Sequence, residues 1–175
     1  MLRIKFIGGR QFRASKSPTS CSRKPLAVIL RQTNRDSIFR KHLGRCFLIV
    51  DKKQDYIKNW DLKIKKREDK AKNFDKINWN LEETYETKVT NYIKTNFTFI
   101  LIPNLTDEIK RIRLEEGLIA TFAQAEEKTI SKTWLGKHHP DNKIYNSGLW
   151  NIQHINGIPL ADEEIKHIEE KLKNK

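Results

Sequence analysis

Glu115 and Glu116 are the carboxylates best placed for chemistry in this sequence. They interrupt an apolar pattern of helical period, with Glu115 between Leu114 and Leu118 at the edge of the stripe that the spacing turns inward. A carboxylate at such an edge suits a hard divalent cation, which takes oxygen ligands. It equally suits an ion pair with Arg111, four residues earlier, and spacing alone favours the pair. His138-His139-Pro140-Asp141 also invites a metal. Adjacent histidines point apart in an extended chain, however, and a zinc site needs further ligands at matching spacing. Only His42, His154 and His167 remain to supply them, so the cluster reads as a polar loop. Gly8-Gly9 lacks the spacing of a dinucleotide or phosphate-loop fingerprint. Cys21 and Cys46 have no histidine at a diagnostic distance, and two cysteines exclude both a disulfide scaffold and a four-cysteine zinc site.

The elements that must hold these groups follow from period and punctuation. Residues 3–8 alternate and stop at Gly8-Gly9, residues 46–50 are a short apolar run, and residues 97–102 are a second run ended by Pro103; all three read as strands. Pro25 opens a short helix, and Asp36 or Ser37 caps a helix over 38–46 with Gly44 near its end. Arg35, Arg40, Lys41 and Arg45 lie along that helix's basic face. Asn80 caps a helix to about Asn96 with Val89, Tyr92 and Ile93 inward. Thr106 or Asp107 begins the longest helix, to about Glu126, with Ile109, Ile112, Leu118, Ile119 and Phe122 at helical spacing. Asp162 opens a last amphipathic helix. The expected fold is α/β: a single domain over residues 1–175, built on a small three-stranded sheet flanked by helices. Residues 51–80 change character and read as a polar insertion with marginal packing. The sharper alternative is a nucleic-acid surface, with Tyr56, Trp60, Phe74 and Trp79 spaced among lysines and able to stack on bases.

Charge narrows the partners. The 175 residues carry 35 Lys and Arg against 22 Asp and Glu, a net charge of +13, which attracts polyanions through counterion release. Nucleic acid leads, with an anionic membrane surface behind it. No apolar run is long enough to span a membrane. Ile4, Phe6 and Ile7 are too few for a secretory signal, and the Arg- and Ser-rich stretch 10–24 reads as a basic loop ahead of a transit peptide. With two cysteines, a reducing cytoplasmic location is the expectation.

Leu114-Glu-Glu-Gly-Leu-Ile119, Thr133-Trp-Leu-Gly136 and Ser147-Gly-Leu-Trp-Asn151, together with Ile38-Phe-Arg-Lys-His-Leu-Gly44, resemble the GIY-YIG nuclease family, in particular a group in which a Trp-Leu-Gly turn precedes a Ser-Gly-Leu-Trp-Asn segment. The resemblance covers residues 36–50 and 97–155. It implies a small α/β domain that hydrolyses DNA phosphodiester bonds with Mg2+ or Mn2+. Glu115 matches the family's metal-binding glutamate, Arg13 is the candidate for its phosphate-steadying arginine, and Arg40, Lys41, His42, Arg45 and Asn151 are candidate nucleic-acid contacts. Phe6-Ile-Gly8 stands where the family has Tyr-Ile-Gly, without the phenol hydroxyl, and the family's first strand has no counterpart ahead of it. Two readings therefore stand: a metal-dependent endonuclease, or a catalytically inactive, basic nucleic-acid-binding module of the same fold.

Overall fold

The computed structural model describes residues 32–64, 66–97, 108–127 and 130–173. Its first helix, α1 (Ile38–Val50), is capped by Ser37, whose hydroxyl accepts the Arg40 N–H at 3.4 Å. The run 46–50, expected to be a strand, is the second half of this helix. α1 is buried on two sides. Leu43 and Cys46 pack with Val89, Ile93, Phe97 and Leu135 on one side, and Leu48 packs with Trp60 and Tyr85 on another. Cys46, Phe47 and Leu48 meet these clusters at successive positions, so the end of the helix is apolar throughout and imitates a buried strand.

Two short helices, α2 (Ile57–Trp60) and α3 (Arg67–Asn73), follow α1. Trp60 is fully buried and its indole N–H donates to the Lys41 carbonyl at 3.2 Å, so the segment expected to pack marginally contributes a central core residue. The ring lies against the bare Cα of Gly44, where any Cβ would overlap it. Gly44 is therefore a docking position within α1 rather than a sign of its end.

α4 (Trp79–Asn96) is capped by Asn78, which accepts the Leu81 N–H at 3.1 Å, two residues ahead of the expected cap. Phe97, the expected start of a strand, has extended backbone at the C-cap of α4, and the rest of that run lies outside the described residues, as do residues 3–8. Among the described residues there is no strand, and the expected three-stranded sheet is replaced there by packed helices.

α5 (Glu108–Gln124) and α7 (Asp162–Lys173) form a third cluster through Leu114, Leu118, Leu160, Ile165 and Ile168. Leu118 and Ile119 are buried as expected, whereas Ile112 and Phe122 are about half exposed. Between them, a 3-10 turn (Leu135–His138) packs on α1, and α6 (Asn142–Ser147) ends at Gly148 in the left-handed region, φ 72°. Trp134 and Trp150, from the Trp-Leu-Gly and Ser-Gly-Leu-Trp-Asn segments, meet edge to face at 5.3 Å, and Trp150 continues onto Phe39 at 6.0 Å. The two motif segments thus join α1 through one aromatic stack.

Candidate functional site

A groove of about 590 Å3 opens beside α1, lined by Arg45, Ile57, Asp61, His139, Pro140, Asp141, Asn142 and Lys143. The Ser37-capped helix carries Lys41, His42 and Arg45 toward it, and the Leu135–His138 turn delivers His139 from the far end of the sequence. His42 Nδ1 lies 2.9 Å from His139 Nε2, and Arg45 Nη1 lies 3.3 Å from the same Nδ1. The Asp141 N–H donates to His139 Nδ1 at 2.9 Å.

These contacts fix the protons. His139 Nδ1 accepts, so its Nε2 carries the hydrogen and donates to His42 Nδ1. His42 Nδ1 accepts from both His139 and Arg45, so its own proton is on Nε2. Both rings are neutral. Burial, then the neighbouring His139 and Arg45, push the His42 pKa down to about 3. Burial and Arg45 lower His139 as well. The same proton order argues against a metal between the rings, since a metal-ligating His139 Nε2 would need its hydrogen on Nδ1, where the backbone N–H already points. No cluster of three metal-ligating side chains exists among the described residues.

Asp61 organises the basic residues. Arg45 meets it through Nε, 3.0 Å from each carboxylate oxygen, and through Nη2 at 2.9 Å. Lys41 Nζ donates to the Asp61 carbonyl at 2.9 Å, and burial lowers the Lys41 pKa. Arg40 turns elsewhere. It is 1% exposed, and its guanidinium binds the Glu86 carboxylate, the Glu86 carbonyl at 3.0 Å and Thr90 Oγ1 at 2.8 Å. Arg35 makes a similar tie to Glu82 at 2.6 Å and to the carbonyls of Asn59, Trp60 and Leu62, holding α2 and the chain after it against α4.

Glu115 stands apart from this groove's lining. It is half-buried on α5, on the helix that packs into the third cluster, and its carboxylate makes no hydrogen bond or ion pair among the described residues. The pairing with Arg111 open to it from spacing is not made. The neighbouring Glu116 faces His154 at 3.5 Å. Asn151 follows Trp150 and accepts the Gln153 N–H at 2.9 Å through Oδ1, leaving its amide NH2 as a donor. Arg13 lies outside the described residues. The structure therefore brings Arg45 to the groove, buries Lys41 and His42 behind Asp61 and His139, directs Arg40 into α4, and carries Glu115 and Asn151 on separate elements. Asp61 and Lys143 were not singled out in the sequence, and His139, weighed there within a metal-candidate cluster and read as polar loop, lies 97 residues from its partner His42.

No curated protein and no solved structure gives a significant match to the chain. A family model described as a GIY-YIG domain matches residues 32–174. That span runs from the turn before α1 to the end of α7. It takes in the groove, Glu115 and the aromatic stack, and it begins after Phe6 and Arg13. With most of its length matched, the chain belongs to the GIY-YIG domain family, a nuclease-type family.

Proposed function

We propose that the protein is a divalent-metal-dependent endonuclease that hydrolyses DNA phosphodiester bonds. The observation that carries this is Glu115, a half-buried carboxylate without a protein partner among the described residues, on a helix inside the family match. A carboxylate held partly out of water without a counter-charge is costly unless something else neutralises it. Mg2+ fits such a position, because it keeps several waters and needs only one or two carboxylates beside substrate phosphates. Bound there, Mg2+ or Mn2+ supplies charge stabilisation for the scissile phosphate and the leaving oxygen. Arg13 is assigned to the developing phosphate charge, for which a guanidinium fork is suited. Arg45 and Lys143, on the lining of the groove, are assigned to the nucleic-acid backbone. Lys41 and His42 position Arg45 through Asp61 and the shared Nδ1 contact. Asn151 offers its amide NH2 to a phosphate oxygen.

One observation favours the second reading, an inactive binding module of the same fold. Phe6 lacks the hydroxyl that the family's tyrosine would offer. Nicking of supercoiled plasmid with Mg2+ or Mn2+ separates the two. Metal-dependent nicking that Glu115→Ala abolishes while plasmid binding persists supports the endonuclease. Nicking that survives Glu115→Ala removes Glu115 from the site. Salt-sensitive binding without any nicking by the wild type selects the inactive module.

A further inference from the structure

Phe74 and Trp79 flank a tight turn between α3 and α4 and touch each other outside every core cluster. Their ring centroids are 5.0 Å apart at 46°, and the residues remain 45% and 43% exposed. The turn beneath them is fixed. Ile77 is buried, Asn59 Nδ2 donates to the Lys76 carbonyl at 2.6 Å, and the Asn78 N–H donates to the Tyr56 hydroxyl at 2.9 Å. A turn tied down at three successive residues presents its aromatic pair in one place. Over residues 63–76 the sequence carries seven lysines and arginines against Glu68, Asp69 and Asp75, and Lys70, Lys72 and Lys76 are exposed; exposed Glu83 stands one turn into α4 from Trp79.

We propose that Phe74 and Trp79 form a stacking platform for an unpaired nucleobase of single-stranded nucleic acid. Isolated exposed apolar side chains need no explanation, but two large rings held against each other at the surface, at the end of a basic segment, are suited to hold a flat ligand. Lysines alone would attract any polyanion, and the rings add what a duplex withholds, because its base faces are already stacked. Charge complementarity selects nucleic acid over an apolar protein partner. The inference rests on the nucleic-acid reading above and extends it to a second surface, distinct from the groove and from Glu115. It gives the protein a preference for substrates with a single-stranded stretch beside the duplex.

The test is binding of labelled oligo(dT), and of a blunt duplex of equal length, by full-length protein in EDTA, so that nothing is cut. Trp79→Ala and Phe74→Ala should weaken oligo(dT) binding roughly ten-fold each while duplex binding is unchanged. Trp79→Phe, which keeps a ring, should restore most of it. Melting curves confirm that each variant is folded, and Trp79→Phe carries the comparison if an alanine variant is not. Oligo(dT) affinity unchanged in both alanine variants overturns the proposal, as does an equal loss for oligo(dT) and duplex. A wild type that ignores oligo(dT) also overturns it, and concentration-dependent self-association lost in Trp79→Ala would then assign the rings to a second copy of the chain. Duplex binding and plasmid nicking by the wild type report separately on the nuclease reading, so the two fail independently.

Discussion

A backbone N–H, two imidazoles and a guanidinium decide the protonation of the groove. The Asp141 N–H holds His139 in the Nε2–H form, and His139 together with Arg45 holds His42 in the same form. Burial, then His139 and Arg45 beside it, disfavour a charged His42 ring and push its pKa down to about 3, and a proton added to Nδ1 would face two donors at once. The folded pKa is below the ordinary histidine value, so between about pH 6.5 and 3 the unfolded chain binds more protons than the folded one. Stability is therefore fully present above pH 6.5 and is lost as pH falls toward 3. For His42 alone the loss between pH 7 and pH 5 is about 2 kcal/mol, and His139 adds to it in the same direction. Urea unfolding at the two pH values measures this. Nitrogen-15 spectra should show the His42 ring in the Nε2–H form at pH 5.5, and a His42 ring titrating near 6.5 would refute the proton order.

At the level of elements, α1 is the piece on which the others are hung. Replacing Gly44 with alanine places a methyl group inside the Trp60 ring, in a segment also tied by the Trp60 N–H to Lys41. Overpacking of this kind costs about 3 kcal/mol, and denaturant melts of Gly44→Ala should show that loss. Arg40→Met tests the tie between α1 and α4 in a different way. It leaves the Glu86 carboxylate, 19% exposed, without its guanidinium, and stability should fall by about 3 kcal/mol. These two residues also show what the sequence could and could not disclose. The starts of α1 and α7 were legible, because Ser37 and Asp162 are local signals, and so was the extent of α4 to within two residues. The second half of α1 was not, because Cys46, Phe47 and Leu48 meet two clusters at successive positions and residues 46–50 carry no polar residue to mark the period. Gly44 looked like punctuation because its reason for being glycine lies in Trp60, sixteen residues away. Glu115 stood out because it breaks a local stripe. His139 drew notice only as a metal candidate beside His138, because its partner His42 is brought close only by the docking of the Leu135–His138 turn on α1.

Across the whole molecule, a net charge of +13 favours polyanions, and under the proposed function the distribution of that charge sets where a phosphate backbone would lie. Several cations are already committed. Arg35 and Arg40 are tied to Glu82 and Glu86 in the interior, whereas Arg45 keeps a 22% exposed side chain on the groove, beside Lys143. Duplex affinity should fall with salt along a log–log line whose slope counts the phosphates neutralised, about 0.9 per contact. Arg45→Ala and Lys143→Ala should each flatten that slope by about one unit. Arg40→Met, corrected for its unfolded fraction, should leave the slope alone, since a guanidinium 1% exposed releases no counterion. Asp61 acts in the opposite sense. It lines the same groove and holds Arg45 through both carboxylate oxygens, so it repels phosphate and competes with it for the same guanidinium. Asp61→Asn should therefore tighten duplex binding several-fold at low salt and lose that advantage as salt rises, because the gain is a screened charge. Fluorescence anisotropy across a salt series reads all four variants on one scale. An Asp61→Asn protein that binds duplex no better than the wild type at low salt would place the nucleic acid on another face.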